Sequence, residues 1–328
     1  MKQKIRVVSG MRPTGKLHLG HYHGVLRNWL QLQQDYDCFF FIADWHALTT
    51  EYAEPGVIRD YRRELLADWL AVGLDPEHAT LFVQSEVKAH AELHLLLSMI
   101  TPLGWLERVP SYKDMRQELS HKDLSTYGFL GYPLLQAADI ALYDGAKVPV
   151  GIDQVPHIEL AREIVRRFNS LYGKTMVEPQ AMLTKAPKLL GTDGKKMSKS
   201  LNNCVYLSDS SEELRKKLMP AITDPARMRR TDPGNPEVCL IFDLHKLHTP
   251  PEEVTRIDGD CRTAAIGCVD CKKTLFSGLD AFLDPIRKKR ELFLQDTARL
   301  DEIAFQGKQR AEQVAGDTMD RVRKAMKL

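Results

Sequence analysis

The sequence has no hydrophobic run long enough to cross a membrane and no large excess of charge of either sign. Its longest apolar stretch, around residues 38–43, is a handful of residues, whereas a transmembrane helix needs about 18 or more. Lys and Arg number 46 against 44 Asp and Glu, a net charge of +2. No overall field therefore draws this protein onto nucleic acid, and any contact with RNA must come from a local basic patch.

The sequence also lacks the pattern of a signal peptide. Its first residues, MKQKIRVVSGMRPTGKL, have only a three-residue apolar run before polar, Gly and Pro residues, which is short of a signal-peptide core. We therefore expect a cytoplasmic protein with no membrane attachment. In such a protein the six cysteines are better explained as thiols, metal ligands or cluster ligands than as disulfides.

The composition is that of an ordinary globular chain, with 43% hydrophobic and 27% charged residues among 328. This length indicates two domains, one large and one small. Short apolar runs predict strands, and apolar residues at helical spacing predict helices between them. The order strand, helix, strand repeats, which predicts an α/β fold with a doubly wound parallel sheet. The predicted strands are 4–9, 38–43, 80–84 and 146–152, and the helices are 24–34, 57–72 and 155–168.

After residue 190 the pattern changes to a polar glycine loop, GTDGKKMSKSLNN, followed by helical segments without comparable strands. We predict four regions in chain order: the α/β domain 1–190, the loop 191–204, a helical domain 205–300, and a C-terminal helix 301–328 that packs back toward the first domain. The predicted later helices are 211–219, 237–248, 274–295 and 299–327.

The first predicted strand is followed by SGMRPTGKLHLGHYHG, which has the features of a phosphate site. Pro13 and Gly15 favour a turn, and Gly20 lets the backbone come close to a nucleotide ring. His18 and His21 are three residues apart, so both can donate hydrogen bonds to phosphate oxygens. Taken alone, the segment is equally explained as a Gly/Pro turn with surface histidines.

A second candidate segment is KMSKS, residues 196–200, within the glycine loop. A run of charge in such a loop is usually solvated surface. Mobile lysines can also stabilise the charge that develops on a departing pyrophosphate. Neither segment decides the function alone.

Together, PTGKLHLGH and KMSKS resemble the paired HIGH and KMSKS signatures of class I aminoacyl-tRNA synthetases. The resemblance to tryptophanyl-tRNA synthetases covers nearly the whole chain, through GMRPTGKLHLGH, ADWHALTT, YPLLQAADIALY and VPVGIDQVPHIELARE. It implies a Rossmann-like catalytic domain, a smaller α-helical anticodon-binding domain, a homodimer, and ligation of L-tryptophan to tRNA(Trp) with ATP and Mg²⁺. Two alternatives stay open: a tyrosyl-type specificity, and a HIGH-type nucleotidyltransferase that acts on a small metabolite.

The resemblance also implies roles for individual residues. The catalytic groups would be His18, His21, Lys196 and Lys199. ATP would in addition be bound by Arg12, Thr14, Gly20, Gly151, Asp153, Met197 and Ser198, with Lys113 as a further candidate for phosphate contact. Tryptophan would be bound by Tyr132, Gln136, Asp139 and Gln154.

Three of the tryptophan-binding candidates share a spacing. Tyr132, Gln136 and Asp139 are four and three residues apart, which places them on one side of a helix if that segment is helical. By resemblance, Asp139 accepts the indole N–H. The alternative for Asp139 is a structural carboxylate, either an N-cap or part of an ion pair.

Four cysteines lie close together in the predicted helical domain: Cys239, Cys261, Cys268 and Cys271, in the pattern C-x21-C-x6-C-x2-C. Zinc sites usually show two C-x2-C pairs and this pattern has one, so zinc, an iron–sulfur cluster and free thiols all stay open. The segment CRTAAIGCVDCKK resembles a subset of tryptophanyl-tRNA synthetases that carry a 4Fe-4S cluster. That resemblance implies that these four cysteines hold such a cluster.

The position of these cysteines in the chain leads to a further expectation. All four follow the KMSKS segment, whereas every candidate catalytic group lies at or before Ser200. We therefore expect the cluster to be dispensable for adenylate formation and to matter for the helical domain and for tRNA docking. Basic residues nearby are candidates for RNA contact or simply a solvated basic face: Arg227, Arg229, Arg230, Lys272 and Lys273.

Overall fold

The apolar segments form one parallel sheet. The computed structural model describes residues 4–109, 123–184 and 189–328, and within them five strands lie in the order β3-β2-β1-β4-β5. The central strands are nearly continuous apolar runs because both faces of a parallel sheet are covered by helices. The strands are β1 Arg6–Met11, β2 Asp37–Ile42, β3 Ala79–Val83, β4 Lys147–Val150 and β5 Gln180–Leu183.

Helices connect and cover these strands. The helices up to β4 are α1 Leu19–His21, α2 Arg27–Asp35, α3 Asp44–Glu51, α4 Gly56–Val72, α5 Ala89–Ser98, α6 Leu103–Glu107, α7 Tyr127–Leu130 and α8 Tyr132–Leu142. The later helices are α9 Val155–Tyr172, α10 Ser211–Leu218, α11 Leu240–His248, α12 Pro251–Arg262, α13 Cys268–Gln295 and α14 Thr297–Met326. A π-helical turn, Tyr22–Leu26, joins α1 to α2.

The predicted α/β fold with a parallel sheet and later helices is confirmed. The four predicted strands match β1 to β4 within a few residues. Pro149 is tolerated inside β4 because that strand pairs with β1 only at Val7 and Lys147, so no hydrogen bond to β1 is lost there. The helix predicted at 57–72 is α4, which ends at Gly73 in the left-handed conformation.

Other elements were missed by the sequence analysis. Strand β5 is short and half exposed, so it has no continuous apolar run to signal it. The helix predicted at 24–34 begins earlier and contains the π turn. Helices α3, α5 and α12 were not predicted.

The chain forms two compact units that are discontinuous in sequence. The first contains the described residues of 1–15, 28–185 and 296–328, and the second those of 16–27 and 186–295. The segment 16–27 therefore belongs with the KMSKS loop and the helices that follow it, although the predicted regions placed it inside 1–190.

In the first unit, helix α14 returns to the sheet. Its residues Ala311, Ala315, Met319 and Val322 join the main hydrophobic core with residues of β1 to β4. Its Gly307 lies directly against the backbone of Leu81 in β3. Among the described residues, no helix is both long enough and apolar enough to span a bilayer.

Candidate active site

The HIGH-like segment is held to the loop after KMSKS by backbone pairing. Leu19 N donates to Val205 O at 3.0 Å, and Leu207 N donates to Leu17 O at 2.9 Å. His18 and Tyr206 form the antiparallel bridge between these bonds. This pairing explains why residues 16–27 belong to the second unit.

His18 and His21 form a reciprocal cap at the start of α1. His18 Nδ1 accepts from Gly20 N at 3.1 Å, and His21 Nδ1 accepts from His18 N at 3.2 Å. Because both Nδ1 atoms are acceptors, each neutral ring carries its proton on Nε2. The two rings, 3.8 Å apart between centroids, thus each offer an Nε2–H donor that the cap does not use.

Both histidines are neutral at physiological pH. Burial, and then the Lys199 ammonium, lowers the pKa of His18 to about 4. Burial, His18 and Lys199 together hold the pKa of His21 well below its ordinary value. The histidines therefore act as neutral donors, and the positive charge at this position comes from lysine.

The KMSKS loop lies beside the histidines. A Cβ on Gly20 would come within 2.9 Å of the His18 ring and 3.9 Å of Met197 Sδ, so only glycine leaves room for this packing. Lys199 is near enough to lower the pKa of both histidines, and the Lys196 side chain is exposed. The structure thus brings together His18, Gly20, His21, Met197 and Lys199.

The conformation of the KMSKS loop depends on Asn203, which the sequence analysis missed. Asn203 is 2% exposed; its Oδ1 accepts from Ser198 N at 2.8 Å, and its Nδ2 donates to Asp193 Oδ1 at 2.7 Å and to Lys196 O at 3.1 Å. A Cβ on Gly191 would overlap the Asn203 amide. The buried Asn203 amide therefore contacts both the segment before KMSKS, at Asp193, and KMSKS itself, at Lys196 and Ser198.

Asp139, in helix α8 of the first unit, is 1% exposed and fully engaged. Its Oδ2 pairs with His46 Nε2 at 2.7 Å and its Oδ1 with His90 Nδ1 at 2.7 Å. Gln84 Nε2 donates to both oxygens, at 2.8 and 2.9 Å. His90 in turn contacts Tyr143 Oη at 2.7 Å.

These contacts set the charge of Asp139. Burial alone would raise the pKa of its carboxyl, but the two histidine donors outweigh burial and hold this pKa well below its ordinary range. His46, Gln84 and His90 were not predicted as site residues. The ADWHALTT segment contains His46, so only that residue had a signal in the sequence.

The segment of Tyr132, Gln136 and Asp139 is helical, so their spacing places them on one side of that helix. His157 links the first two: its Nε2 lies 3.3 Å from Tyr132 Oη, and its Nδ1 lies 3.0 Å from Gln136 Oε1. Burial lowers the pKa of His157, Asp153 opposes this and His46 adds to it, with a net pKa of about 4. His157 is therefore a neutral connector, and it too was missed.

Arg12 is oriented by residues of the same unit. Its guanidinium donates to Thr50 Oγ1. Burial lowers the pKa of Arg12, while Glu51 and Tyr132 oppose that effect. Thr14 lies in the following turn, where its N–H donates to Arg12 O at 2.9 Å. Lys113 lies outside the described residues.

Gly151, Asp153 and Gln154 follow β4 at the carboxyl end of the sheet, where open α/β sheets bind ligands. A Cβ on Gly151 would come within 2.6 Å of Asp153 Oδ1. Gln154 Nε2 donates to Asp153 Oδ2 at 2.8 Å. The three residues form one small polar group at the start of α9.

Cys239, Cys261, Cys268 and Cys271 are free thiols of the second unit, and two of them contact Arg227. Cys239 immediately precedes α11, Cys261 is in α12, and Cys268 and Cys271 are in the first turn of α13. Arg227 Nη1 lies 3.8 Å from the Sγ atoms of both Cys261 and Cys268.

The other three cysteines contribute to the raised pKa of Cys271. Burial raises the pKa of Cys271 to about 12, with further contributions from Cys239, Cys261 and Cys268. In the described part of the chain, however, no three or more His, Cys, Asp or Glu side chains are arranged to hold a single metal ion.

The basic residues near the cysteines do not all face solvent, contrary to the expectation for Lys272. Lys272 is 8% exposed, and its ammonium donates to Met219 O at 2.8 Å and to Ala221 O at 2.6 Å. It is therefore a structural residue and wrong as a candidate for RNA contact. Arg227 likewise donates to the carbonyls of Arg230 and Ile266, whereas Arg229, Arg230 and Lys273 are exposed.

Comparison with known proteins relates the whole chain to one group of enzymes. The family model described as tRNA synthetases class I (W and Y) matches residues 1–284. The tryptophan–tRNA ligase of Thermotoga maritima is 51% identical over 326 residues, covering 99% of each chain. That of Aquifex aeolicus is 46% identical over 394 residues, covering 99% of this chain and 100% of the relative.

A solved structure agrees with these sequence relatives. Tryptophanyl-tRNA synthetase from Campylobacter jejuni, crystallised with ADP and tryptophan, superposes with a TM-score of 0.91 at 32% identity. The match covers 99% of this chain and 100% of that one.

Proposed function

We propose, because the chain belongs to the class I tRNA synthetases for tryptophan and tyrosine, that it ligates L-tryptophan to tRNA(Trp) with ATP. Relatives that are 46% and 51% identical over their whole length are tryptophan–tRNA ligases. This identity supports tryptophan over tyrosine, and it also disfavours a nucleotidyltransferase that acts without RNA.

The reaction has two steps. The tryptophan carboxylate attacks the α-phosphorus of ATP; an O–P bond forms, the bond to the leaving pyrophosphate breaks, and tryptophanyl-adenylate results. A terminal ribose hydroxyl of the tRNA then attacks the carbonyl carbon of the adenylate, and AMP leaves. The α-carboxyl group has an ordinary pKa of about 3.3–3.7, so the nucleophile is already ionised at neutral pH and no general base is needed for the first step.

The second unit contains the groups that stabilise the phosphates. We assign the Nε2–H donors of His18 and His21 to phosphate oxygens, and the ammonium groups of Lys196 and Lys199 to the charge of the departing pyrophosphate. The observation that carries this assignment is the reciprocal histidine cap, which leaves both Nε2–H groups available. Mg²⁺ supplies charge neutralisation when it is bound by the phosphates of ATP.

The other ATP contacts remain proposals from the family pattern. Gly20 and Met197, which adjoin each other beside the His18 ring, would lie against the nucleotide. The Ser198 N–H is used by Asn203, so Ser198 would contribute through its side chain. In the first unit, Arg12 and Thr14 after β1, and Gly151 and Asp153 after β4, would complete the ATP contacts.

The tryptophan pocket is assigned to the first unit. We propose that Asp139 accepts the indole N–H, with Tyr132, Gln136 and Gln154 toward the amino group. Three side chains already donate to the Asp139 carboxylate, so the indole must displace one of them. His46, whose side chain is 12% exposed against 0% for His90, has the space to move. A substrate without this N–H would leave a buried carboxylate short of a donor, which favours tryptophan.

The four cysteines are proposed to hold a 4Fe-4S cluster. A zinc ion needs its sulfur ligands about 2.3 Å away, and the described residues offer no such single-ion group. A cluster places its cysteines around a larger inorganic core, which fits four neighbouring thiols from three helix ends. Arg227, 3.8 Å from two of the sulfurs, supplies positive charge beside the anionic thiolates.

Further proposals concern partners and location. A homodimer is supported by exposed apolar side chains of the first unit at Leu95, Met99, Leu103 and Tyr127. Tyr127 also lines an open cavity of about 400 Å³, together with Trp45, Tyr52, His94 and Leu135. The helical region 205–300 would bind the anticodon part of the tRNA, with the exposed residues Arg229, Arg230 and Lys273 as phosphate contacts. We propose a cytoplasmic location, which a tRNA substrate supports.

The deciding experiment is ATP–pyrophosphate exchange with each amino acid in turn. We expect exchange with tryptophan and much slower exchange with tyrosine. Faster exchange with tyrosine would reassign the substrate, and exchange without any amino acid would reject the ligase.

The cluster has its own test. Protein purified anaerobically should be brown, with nearly stoichiometric iron and sulfide, and Cys268→Ser should lose both. Zinc in place of iron after the same preparation would reject the cluster without affecting the ligase assignment.

A further inference from the structure

We infer that His248 is a positioning residue for the phosphate-binding segment, and that helix α11 carries the state of the four-cysteine site to that segment. The inference rests on the proposed function, because it concerns the ATP site assigned above. All of the residues involved belong to the second unit.

The first observation is a contact between two histidines. Nε2 of His23, in the π turn that follows the HIGH-like motif, lies 3.0 Å from Nε2 of His248, the last residue of α11. Tyr22 and Phe282 surround the pair: the Phe282 ring is 5.0 Å from the Tyr22 ring and 4.8 Å from the His248 ring. The four rings join the HIGH-like segment to α11 and α13.

This contact is a hydrogen bond between neutral rings. Burial and then Arg27 lower the pKa of His23 to about 4. Burial, His23 and Arg27 lower the pKa of His248 to about 3. His23 Nδ1 is buried without a hydrogen-bond partner among the described residues. A buried ring nitrogen without a proton costs less free energy when unpartnered than a buried N–H without an acceptor. His23 Nδ1 is therefore unprotonated, so His23 donates through Nε2 and His248 Nε2 accepts.

The hydrogen bond between His23 and His248 supports an unusual backbone turn. Tyr22–Leu26 is a π turn, an uncommon form that occurs mostly as single turns in helices and needs support from its surroundings. It begins one residue after His21, whose ring and that of His18 offer the proposed phosphate donors. A contact that holds the π turn therefore also holds the two histidines.

Helix α11 also touches the cysteine site, near both of its ends. Cys239 immediately precedes its first residue, and His245, one turn before its end, lies 3.3 Å from Cys271 Sγ and 3.1 Å from Cys271 O. The end of α11 is close-packed on α13, since a Cβ on Gly278 would come within 2.5 Å of His248 O. One nine-residue helix thus contacts the cysteines and the HIGH-like segment.

This arrangement revises the expected division of labour. The cysteines were expected to be dispensable for adenylate formation because they follow the KMSKS segment in the chain. Their separation along the chain does not hold in the folded structure, because residues 16–27 and the cysteines belong to one compact unit. A change in the cysteine site should therefore alter ATP binding.

The first test removes the hydrogen bond and keeps the ring packing. We expect His248→Phe to raise the KM for ATP in pyrophosphate exchange about two- to tenfold, the loss expected for one hydrogen bond, with the KM for tryptophan unchanged. His23→Phe should do the same, and the double variant should be no worse than either single one. Lys246→Ala, an exposed change on the same helix, is the matched control and should leave both constants unaltered.

The second test addresses transmission from the cysteines. Cys271→Ser should raise the KM for ATP in the wild-type background and add nothing in the His248→Phe background. The dissociation constant for ATP, measured by calorimetry without tryptophan, should follow the same pattern. Iron content and thermal unfolding are measured for every variant.

The outcomes separate the inference from the proposed function. An unchanged KM for ATP in folded His248→Phe, or equal rises in the constants for ATP and tryptophan, would overturn the positioning role. If Cys271→Ser acts equally in both backgrounds, transmission through His248 is rejected. A preserved His248 effect in protein without iron would support the positioning role independently of the cluster.

Discussion

Gly307 of helix α14 packs directly on the carbonyl of Leu81 in strand β3, with no room for a Cβ. We expect Gly307→Ala to lower the free energy of unfolding by about 1–3 kcal/mol, since the helix must shift away from the strand. Urea denaturation gives the value. Gly316 is the control, because it lies in the same helix and a Cβ added there would meet no atom within 4 Å. Gly316→Ala should stabilise by about 0.4–1 kcal/mol, and equal effects of the two changes would contradict this packing argument.

Lys199 is expected to act on the chemical step. Lys199→Ala should slow adenylate formation by about 2.7–4 kcal/mol, a factor of about 10² to 10³, if the lysine behaves like other preorganised charge stabilisers. Pre-steady-state measurement of adenylate formation gives the rate. The exposed Lys195 lies in the same loop, so Lys195→Ala should leave the rate unchanged. An unchanged rate in Lys199→Ala would remove this residue from the mechanism.

Asn203 should control the KMSKS loop without touching substrate. Asn203→Ala leaves the Ser198 N–H and the Lys196 carbonyl without their partner, a cost of about 1–3 kcal/mol for each buried group. We expect a lower rate of pyrophosphate exchange and faster proteolysis within the loop. The control is Asn202→Gly, because Asn202 is exposed and has φ of 50°, which glycine adopts readily. Normal exchange in Asn203→Ala would mean that the loop does not need this amide.

Asp139→Asn should affect both tryptophan activation and stability. The amide can still accept from the indole, but it loses the negative charge, worth about 1–2 kcal/mol of tryptophan binding. Its NH₂ group also faces histidine donors in the buried site. A reduced kcat/KM for tryptophan with an unchanged KM for ATP is the expected result. An unaltered kcat/KM in the folded variant would mean that Asp139 does not hold the indole.

The stability contributed by Asp139 should depend on pH in a defined direction. Its pKa in the folded state is lowered from an unfolded value of about 3.9. The contribution is therefore fully present above the unfolded value and is lost as the pH falls below it toward the folded pKa. The difference in unfolding free energy between the wild type and Asp139→Asn should be constant from about pH 5 to 7 and shrink below about pH 4. A difference that grew on acidification would reverse this assignment.

The sequence predicted the sheet well because β2 and β3 are nearly continuous apolar runs and segments with helical spacing lie between the strands. The spacing of Tyr132, Gln136 and Asp139 placed them on one side of a helix only if the segment was helical, a condition that the structure meets. The partners of Asp139 could not be predicted in this way. Gln84 and His90 are 55 and 49 residues away in the chain, and nothing local distinguishes them from surface residues.

The sequence could not predict that residues 16–27 belong to the second unit, for a similar reason. The segment follows β1 and looks like the start of the next crossover helix. What fixes its position is a backbone bridge to residues 205–207. Backbone pairing at such a distance leaves no trace in side-chain periodicity.

The return of helix α14 to strand β3 also has a consequence for biosynthesis. In the sequence, the first unit is interrupted by the second. A ribosome therefore makes the strands of the sheet early, and it reaches residues 297–326 only after every helix of the second unit has been made. Until then β3 lacks the helix that covers Leu81, and an apolar surface of the nascent chain stays open to chaperones or to other chains. The second unit, whose residues 186–295 form one stretch, has most of its contacts available sooner. The order of translation therefore leaves the unit that contains the sheet to be completed last.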